Sequence, residues 1–368
     1  MVMIAIFLFL ITLILVAVSF KDSRDTLYIG PSKIYVMILG TLFLTAYLFL
    51  LSKQNLLQSD MIYYFNNMKQ IHYLISFNNI SEVLNQTEFE KGFVITQLII
   101  GYLTNNSQVY GILMYSLILL LILISAWNYF GIESVPFVMI HYVFFTVFNT
   151  ISLIVIRQGM AIGILILSLT VYLKGHKKMA LIWMLLAAQF HSTAYIMVFV
   201  FIIIYIFKID LKKNIYTWIF LSFAYITNWN KDILKFIPVE SKYLDSYTGD
   251  LWSSQSAMYG QEPNSIKYLV ISGAFLIIIL LLKRFFLNSD RGMSFLVNIY
   301  VIWNSVFLLF GFVAFSSRIA LYSWLLFPFI LFYAFTSNRL LRTYYPVFLI
   351  IWIIIGAFGL PIMGWQAL

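Results

Sequence analysis

The chain consists largely of apolar runs of about 17–25 residues, the length that an α-helix needs to cross the roughly 30 Å hydrocarbon core of a bilayer. Ten runs of this kind lie near 2–20, 34–51, 109–127, 135–151, 153–173, 214–228, 266–282, 294–313, 318–335 and 345–360. Charged residues make up only 10% of the chain, whereas soluble domains carry about 25%. The sequence therefore predicts an all-α polytopic integral membrane protein with about 11–13 transmembrane helices, in a single transmembrane domain over residues 1–368.

Two apolar segments have the wrong length for one crossing. The stretch 179–207 is interrupted by polar residues at 189–193 and is too long for one span, so we expect two short helices that meet at this break. The run 93–103 would cover only about 16 Å as a helix, which predicts a re-entrant or interfacial helix. The run 2–20 lacks a basic start and is interpreted as a first transmembrane helix rather than a cleaved signal peptide.

Basic residues are concentrated in five short loops, and such loops usually face the cytoplasm. The five groups are Lys21/Arg24/Lys33, Lys174/Lys177/Lys178, Lys208/Lys212/Lys213, Lys283/Arg284/Arg291 and Arg339/Arg342. They fall on one side of the membrane if 93–103 does not cross and 179–207 crosses twice. The long polar segments 52–92 and 229–265 are then extracytoplasmic. Because the net charge of +9 comes from these loops, it does not indicate nucleic-acid binding.

Ionisable side chains within membrane segments are costly, and each one suggests a function. Arg157 lies about one turn inside an apolar helix, with the polar residues Ser152 and Gln158 nearby. Its planar guanidinium is suited to grip a phosphate through two parallel hydrogen bonds, and the alternative is an arginine that reaches the outer headgroups. His191, at the polar break, could act as a base, donate to a phosphate or satisfy a backbone carbonyl. His141 has no polar company and is interpreted as structural.

Further candidates lie at the predicted outer face. Arg318 begins a helix there, and Tyr322 lies one turn further on the same side; contact with headgroups is the alternative. Asp60 and Glu90 stand beside aromatic residues in the first outer segment, a combination typical of sugar sites in which a carboxylate binds hydroxyls or accepts a proton. An ordinary solvated loop is the alternative. The second outer segment has a similar but weaker aromatic pattern, formed by Tyr243, Tyr247, Trp252 and Tyr259.

Several motifs occur together in one order along the chain. They are Asp60…Tyr63-Tyr64, Glu90-Lys91-Gly92-Phe93, Ile156-Arg157-Gln158-Gly159-Met160-Ala161, Phe190-His191-Ser192 and Arg318…Tyr322. In this combination the chain resembles the EpsG-type family of Wzy-like bacterial polysaccharide polymerases. The resemblance implies a helical bundle of the GT-C kind. It also implies an inverting-type, metal-independent glycosyl transfer at the outer face of the bacterial plasma membrane.

The resemblance also implies substrates and roles. The donor would be a glycan on undecaprenyl diphosphate and the acceptor a lipid-linked repeat unit, with exopolysaccharide or capsule as product. Arg157 and Arg318 would hold the diphosphate, and His191 would donate to it or act as a base. Asp60 or Glu90 would accept the proton of the acceptor hydroxyl or orient the sugar. The expected substrate-binding residues are Tyr63, Tyr64, Lys91, Gln158, Ser192 and Tyr322. Further expected partners are membrane lipids, a chain-length regulator and a flippase.

A ligase, a transporter or an acyltransferase would differ from a polymerase in its products or in its sequence features. The chain has no cysteine and no H-E-x-x-H or G-x-G-x-x-G motif, so we predict neither a metal nor a cofactor. A glycan ligase would use the same diphosphate grip, and only its products would distinguish it. A flippase or transporter would favour internal repeats and charges near mid-membrane. An acyltransferase would need a cytoplasmic donor site with a catalytic histidine.

Overall fold

The computed structural model describes residues 11, 14, 32–52, 60–207, 210–235, 263–313 and 315–357, and all regular structure in them is helical. The helices are α1 (Ser32–Leu51), α2 (Asp60–Ile75), α3 (Ile80–Gln86), α4 (Lys91–Leu103), α5 (Ser107–Phe130), α6 (Val135–Val143), α7 (Thr146–Leu153), α8 (Ile156–Leu173), α9 (Lys177–Ala187), α10 (Ala194–Phe207), α11 (Leu211–Ile226), α12 (Asn230–Lys235), α13 (Ile266–Phe286), α14 (Arg291–Leu309), α15 (Ser316–Trp324), α16 (Leu326–Ser337) and α17 (Arg339–Ala357). A 3-10 turn, Ile132–Ser134, precedes α6. All but two residues of the predicted span 2–20, and the aromatic residues at 243–259, lie outside the described residues.

Seven helical segments of the described chain are long and apolar enough to cross a membrane. They are α1, α5, α8, α13, α14, the continuous pair α15–α16, and α17. The number rises to eight if the bent pair α6–α7 is one span. The chain is therefore a multi-pass membrane protein, as predicted. The larger sequence-based number of about 11–13 also included the run 2–20 and the shorter helices α9, α10 and α11.

The region 135–151, expected as one span, forms two helices bent by 84°. Asn149 lies beside this bend, and its side-chain amide donates to the carbonyl of Val143 at the end of α6 (3.0 Å). The amide oxygen accepts hydrogen bonds from the hydroxyls of Tyr47 (3.1 Å) and Tyr115 (2.8 Å). A broken helix in an apolar setting needs such partners for its backbone and polar side chains. One asparagine thus supports a bend that mean hydropathy does not reveal.

The short helices predicted from length are confirmed. The stretch 179–207 divides into α9 and α10, with the break at 188–193. Helix α4 has 13 residues and spans about 20 Å, which is less than a full crossing. The polar segment 52–92 contains α2 and α3. Helix α3 begins with a capping arrangement in which the side-chain oxygen of Asn79 accepts from the backbone N–H of Glu82 (3.1 Å) and its amide donates to the Glu82 carboxylate (3.2 Å).

The helices form two compact units. The first comprises α1–α9 and α17, within Met1–Tyr195 and Arg339–Leu368. The second comprises α11–α16 and most of α10, within Ile196–Asn338. The single transmembrane domain expected from the sequence stays a prediction.

In the first unit, α8 is largely enclosed, with 83% of its membrane-length stretch buried. Gly159 and Gly163 face α5, and a Cβ atom at these positions would lie 2.8 Å from Ile118 and 2.9 Å from Leu121. Small residues one turn apart allow membrane helices to approach closely in this way. The contact fixes the first turn of α8, which carries Arg157.

The second unit has a buried polar network centred on Asn304. Its side-chain oxygen accepts a hydrogen bond from Trp218 (2.7 Å). Its amide donates to the hydroxyls of Ser272 and Ser323, each at 2.9 Å. The indole of Trp324 also donates to Ser272 (2.9 Å). These bonds link α11, α13, α14 and α15, and interhelical hydrogen bonds of this kind contribute about 0.6 kcal/mol each in membrane proteins.

Candidate active site

Arg157, the second residue of α8, lies at the centre of the candidate site. The helix begins here because α7 ends at Leu153 and the backbone of Val155 leaves the helical conformation. Nη1 of Arg157 donates to Oε2 of Glu90 at 2.7 Å, and Nε donates to the hydroxyl of Tyr64 at 3.4 Å. The side chains of Arg157 and Glu90 are 24% and 17% exposed. The ion pair is therefore partly shielded from solvent and still accessible from one side.

Glu90 uses its second carboxylate oxygen to hold the polar break between α9 and α10. Oε1 accepts a 2.8 Å hydrogen bond from the backbone N–H of Ser192. Two residues further on, the backbone N–H of Gly92 donates to the carbonyl of Gln189 (2.9 Å). A Cβ atom on Gly92 would lie 2.8 Å from that carbonyl oxygen, so only glycine permits this approach. Glu90 thereby connects α8 and the α9–α10 break to the start of α4.

The pKa of the Glu90 carboxyl reflects these contacts. Burial raises the pKa, but the positive charge of Arg157, the backbone N–H groups of Glu90 and Ser192, and the charge of His191 lower it. The net pKa lies below its usual value of 4.5. Glu90 is therefore ionised at neutral pH, and a carboxylate with a lowered pKa is a weak proton acceptor. Its geometry suits holding Arg157 better than removing a proton.

Aromatic rings surround the guanidinium of Arg157. Its Cζ lies 4.6 Å from the ring centre of Phe89 and 5.7 Å from that of Tyr64, distances at which a cation is attracted to an aromatic face. The rings of Tyr63 and Phe93 each meet Phe89 edge-on, with centres 5.7 Å apart. Tyr63 is 55% exposed and Tyr64 is buried. Aromatic rings thus line one side of the site, and among them the ring of Tyr63 is exposed.

A buried glutamine positions Tyr64. The side chain of Gln97 on α4 donates to the backbone carbonyl of Tyr64 (3.1 Å) and to the hydroxyl of Tyr110 (3.4 Å). Gln97 is fully buried, and a buried amide without partners would be costly. The bond from Gln97 to Tyr64 holds α2 against α4. It thereby helps to position the Tyr64 hydroxyl that bonds Arg157.

His191 lies within the break, next to Ser192. Its Nδ1 is 2.6 Å from the hydroxyl of Thr193 and 3.3 Å from the backbone N–H of the same residue. The ring is partly exposed. The structure thus places His191 next to Ser192, whose backbone N–H bonds the Glu90 carboxylate.

A family model provides the decisive comparison. The model of the EpsG family matches residues 41–366. The chain belongs to the EpsG family. No curated protein and no solved structure gives a significant match. The match includes every residue named in the sequence motifs, and EpsG membership supports a polysaccharide polymerase-type role.

The second unit of this EpsG-family protein contains Arg318 and Tyr322. Arg318 lies on the first turn of α15, and its Cζ is 4.7 Å from the ring centre of Phe315. Phe315 has a left-handed backbone with φ of 58°, which directs the chain into α15. Tyr322 is fully buried, and its ring meets Trp303 edge-on.

The remaining predicted residues lie in the first unit. Asp60 is the first residue of α2, one turn before Tyr64 on the same helix face, and it is partly buried. Lys91 is exposed on the first turn of α4. Gln158 follows Arg157 on α8, and its side chain is buried. The structure therefore joins Glu90, Arg157, Tyr64 and Ser192 by direct contacts.

Neither Gln97 nor Phe89 was among the site residues predicted from the sequence. Phe89 contacts Arg157, Tyr63 and Tyr64, and its only signal was its position between two acidic residues. It also reaches the small hydrophobic cluster formed by Ile71 and Val83 with α4. In the part of the chain that the structure describes, no three His, Asp or Glu side chains come together as around a metal ion.

Proposed function

We propose that this protein is an extracytoplasmic polymerase that joins polyprenyl-diphosphate-linked oligosaccharide repeat units by inverting-type glycosyl transfer. The observation that supports it most is the arginine at the start of a membrane-length helix, paired with Glu90 and backed by aromatic rings. A lipid diphosphate leaves with growing negative charge, and fixed cations at a partly shielded site stabilise that charge. Aromatic rings beside such a cation can contact the sugar ring that is attached to the diphosphate.

The proposed step transfers a glycan from one lipid carrier to another. The acceptor hydroxyl oxygen attacks the anomeric carbon of the donor sugar and forms a new C–O bond. The bond between that carbon and the diphosphate oxygen breaks, and its electron pair leaves with undecaprenyl diphosphate. The hydroxyl proton passes to a base. Attack from the face opposite the leaving group inverts the anomeric carbon.

The residues take distinct roles in this proposal. Arg157 binds the diphosphate, and His191 adds a donor at the same end of the first unit. Arg318 is a candidate second cation, and its role rests on the motif that it shares with Tyr322. Asp60 is the proposed proton acceptor, since Glu90 already uses both oxygens on Arg157 and on the N–H of Ser192.

The proposal that Arg157 faces the exterior is based on the residues at the two ends of α8. Arg157 is at its beginning, and the basic residues Lys174, Lys177 and Lys178 follow at its end. The 18 residues of α8 separate these ends by about 27 Å. Short basic loops favour the cytoplasm, so Arg157 is proposed to face the exterior of the bacterial plasma membrane.

The test uses purified protein with a synthetic undecaprenyl diphosphate-linked repeat unit, and products separated on a gel. We expect a ladder of repeats that persists in EDTA and that falls by about 100-fold or more in Arg157→Ala. A single attachment to an added acceptor would indicate a ligase instead. A folded protein that makes no product from a matched substrate would contradict both.

A further inference from the structure

Helix α4 carries a continuous exposed stripe on one face. Lys91, Ile95, Ile99, Tyr102 and Leu103 are exposed, and the four apolar members are 43%, 56%, 71% and 70% exposed. Their spacing of three and four residues places them on the same side of the helix. The opposite side of α4 is buried. The exposed face therefore has a cation at its first turn and an apolar surface along the rest.

This stripe differs from the lipid-facing surfaces of the long helices. With 13 residues, α4 is not among the helices long enough to cross the membrane. Its first residue directly follows Glu90, whose carboxylate contacts Arg157. The exposed face of α4 therefore begins one residue after the carboxylate that contacts Arg157. An annular lipid contact would not require this proximity.

Helix α4 is also firmly held at the site end. Gly92 donates its N–H to the carbonyl of Gln189, and Gln97 bonds the backbone of Tyr64. On the buried side, Val94 packs against Ile71. A helix fixed in this way presents its outer face in a constant position, which favours binding of a flexible chain because less of the surface has to be ordered.

We propose that this stripe holds the isoprenoid chain of the substrate. The proposal rests on the proposed function, because it takes the diphosphate of the same molecule to lie at Arg157. Lys91 then lies at the charged end and complements the diphosphate, while Ile95, Ile99 and Tyr102 follow the chain. A helix of this length offers about 20 Å of surface, which accommodates the first several isoprene units. The remainder of the chain extends into the bilayer.

The test measures binding of two probes to the purified protein in phospholipid nanodiscs. Pyrophosphate probes the diphosphate site alone, and undecaprenyl diphosphate probes the site and the stripe together. The double variant Ile95→Ser/Ile99→Ser should weaken binding of undecaprenyl diphosphate about tenfold, because two apolar contacts are lost. Binding of pyrophosphate should stay within about twofold. The matched control is Ile277→Ser/Leu281→Ser, two exposed residues with the same spacing on α13.

The outcomes separate this proposal from the proposed function. Arg157→Ala should abolish binding of pyrophosphate; if it does not, the diphosphate site is wrong. If that variant behaves as expected and the stripe variant still binds undecaprenyl diphosphate normally, only the stripe is wrong. An equal loss in the α13 control would indicate a general effect of bilayer contact and would also overturn the stripe.

A second measurement does not require that the protein folds normally with serine at positions 95 and 99. A photoreactive benzoylphenylalanine in place of Ile99 should cross-link undecaprenyl diphosphate in the nanodisc, and excess pyrophosphate should reduce that adduct. The same group in place of Ile277 should cross-link bilayer phospholipid alone. Phospholipid as the sole adduct at position 99 would show that the stripe faces bulk lipid and would refute the proposal.

Discussion

Glu90 and Arg157, 67 positions apart in the sequence, are joined by a 2.7 Å hydrogen-bonded ion pair between Oε2 and Nη1. The same guanidinium bonds the Tyr64 hydroxyl through Nε, and the same carboxylate bonds the N–H of Ser192. The pair therefore fixes the orientation of Arg157 relative to α2, to the start of α4 and to the break before α10.

The shape of the Arg157 side chain should matter as well as its charge. In Arg157→Lys the charge remains, but one ammonium cannot bond Glu90 and Tyr64 while presenting a planar fork to a diphosphate. We expect polymerase activity to fall about 100-fold, with most of the loss in kcat. The control is Arg291→Ala, which changes an exposed arginine at the start of α14 on the predicted cytoplasmic side and should keep its activity. Normal activity of Arg157→Lys would contradict a forked grip.

Removing the charge of Glu90 should destabilise the protein. The pair is only partly buried, so Glu90→Gln is expected to cost about 1–2 kcal/mol, less than a fully buried pair. Glu90→Asp keeps the charge, but its shorter side chain cannot reach Arg157 and the N–H of Ser192 together. Thermal unfolding in detergent should show a lower Tm for both variants. If Glu90→Asp were as stable as the native protein, the bridging role would be wrong.

The stability contributed by Glu90 should depend on pH. Because its pKa is lower in the folded protein than in the unfolded chain, its contribution is complete above the usual value of 4.5. It is lost as pH falls through the lower folded value. The difference in Tm between the native protein and Glu90→Gln should therefore be constant near neutral pH and shrink in acid. Parallel Tm curves across the acid range would show that Glu90 is not held in ionised form.

The exposed ring of Tyr63 is predicted to bind the sugar of the substrate and to contribute little to the stability of the fold. It meets Phe89 edge-on and is 55% exposed, so its loss should leave Tm within a degree or two. We expect the contact of a sugar with this ring to contribute about 1 kcal/mol, the size of an aromatic-pair contact. Tyr63→Ala should accordingly raise KM about tenfold with little change in kcat, and Tyr63→Phe should restore it. A loss of kcat alone would place Tyr63 elsewhere in the mechanism.

The sequence predicted most of the helices but not the Glu90–Arg157 ion pair. Run lengths and the polar residues at 189–193 predicted the division into α9 and α10, because hydropathy and length act locally along the chain. The chain has 14 acidic and 23 basic residues. The residues next to Glu90 in the sequence do not show that its carboxylate pairs with Arg157. The bend beside Asn149 was missed for the same reason, since its tyrosine partners come from other helices.

The resemblance pointed to residues that local patterns could not connect. It named Glu90, Arg157 and Ser192 together, and the structure joins these three by direct bonds. It also named Arg318 and Tyr322, which the structure places in the second unit. Their role with the first group stays a prediction. Phe89 was not singled out because aromatic residues are common in this chain.

The junction between α4 and the polar break gives a further prediction through Gly92. A Cβ atom there would lie 2.8 Å from the backbone oxygen of Gln189 and 3.1 Å from the ring of Phe190. The carbonyl cannot rotate away without losing its bond to the N–H of Gly92. Gly92→Ala should therefore push the break away from α4 and lengthen the bond between Glu90 and the Ser192 N–H.

We expect Gly92→Ala to lower polymerase activity about tenfold and to lower Tm by several degrees, as overpacking of a close contact does. Gly273→Ala provides the matched control, because it is also a helical glycine and its nearest atom lies 3.7 Å from the new Cβ. That control should keep its activity, and its stability should stay equal or rise by up to about 1 kcal/mol from the better helix propensity of alanine. The two variants would be compared by initial rates and by thermal unfolding in the same detergent. Equal behaviour of both would show that the close approach at Gly92 has no bearing on the position of Arg157.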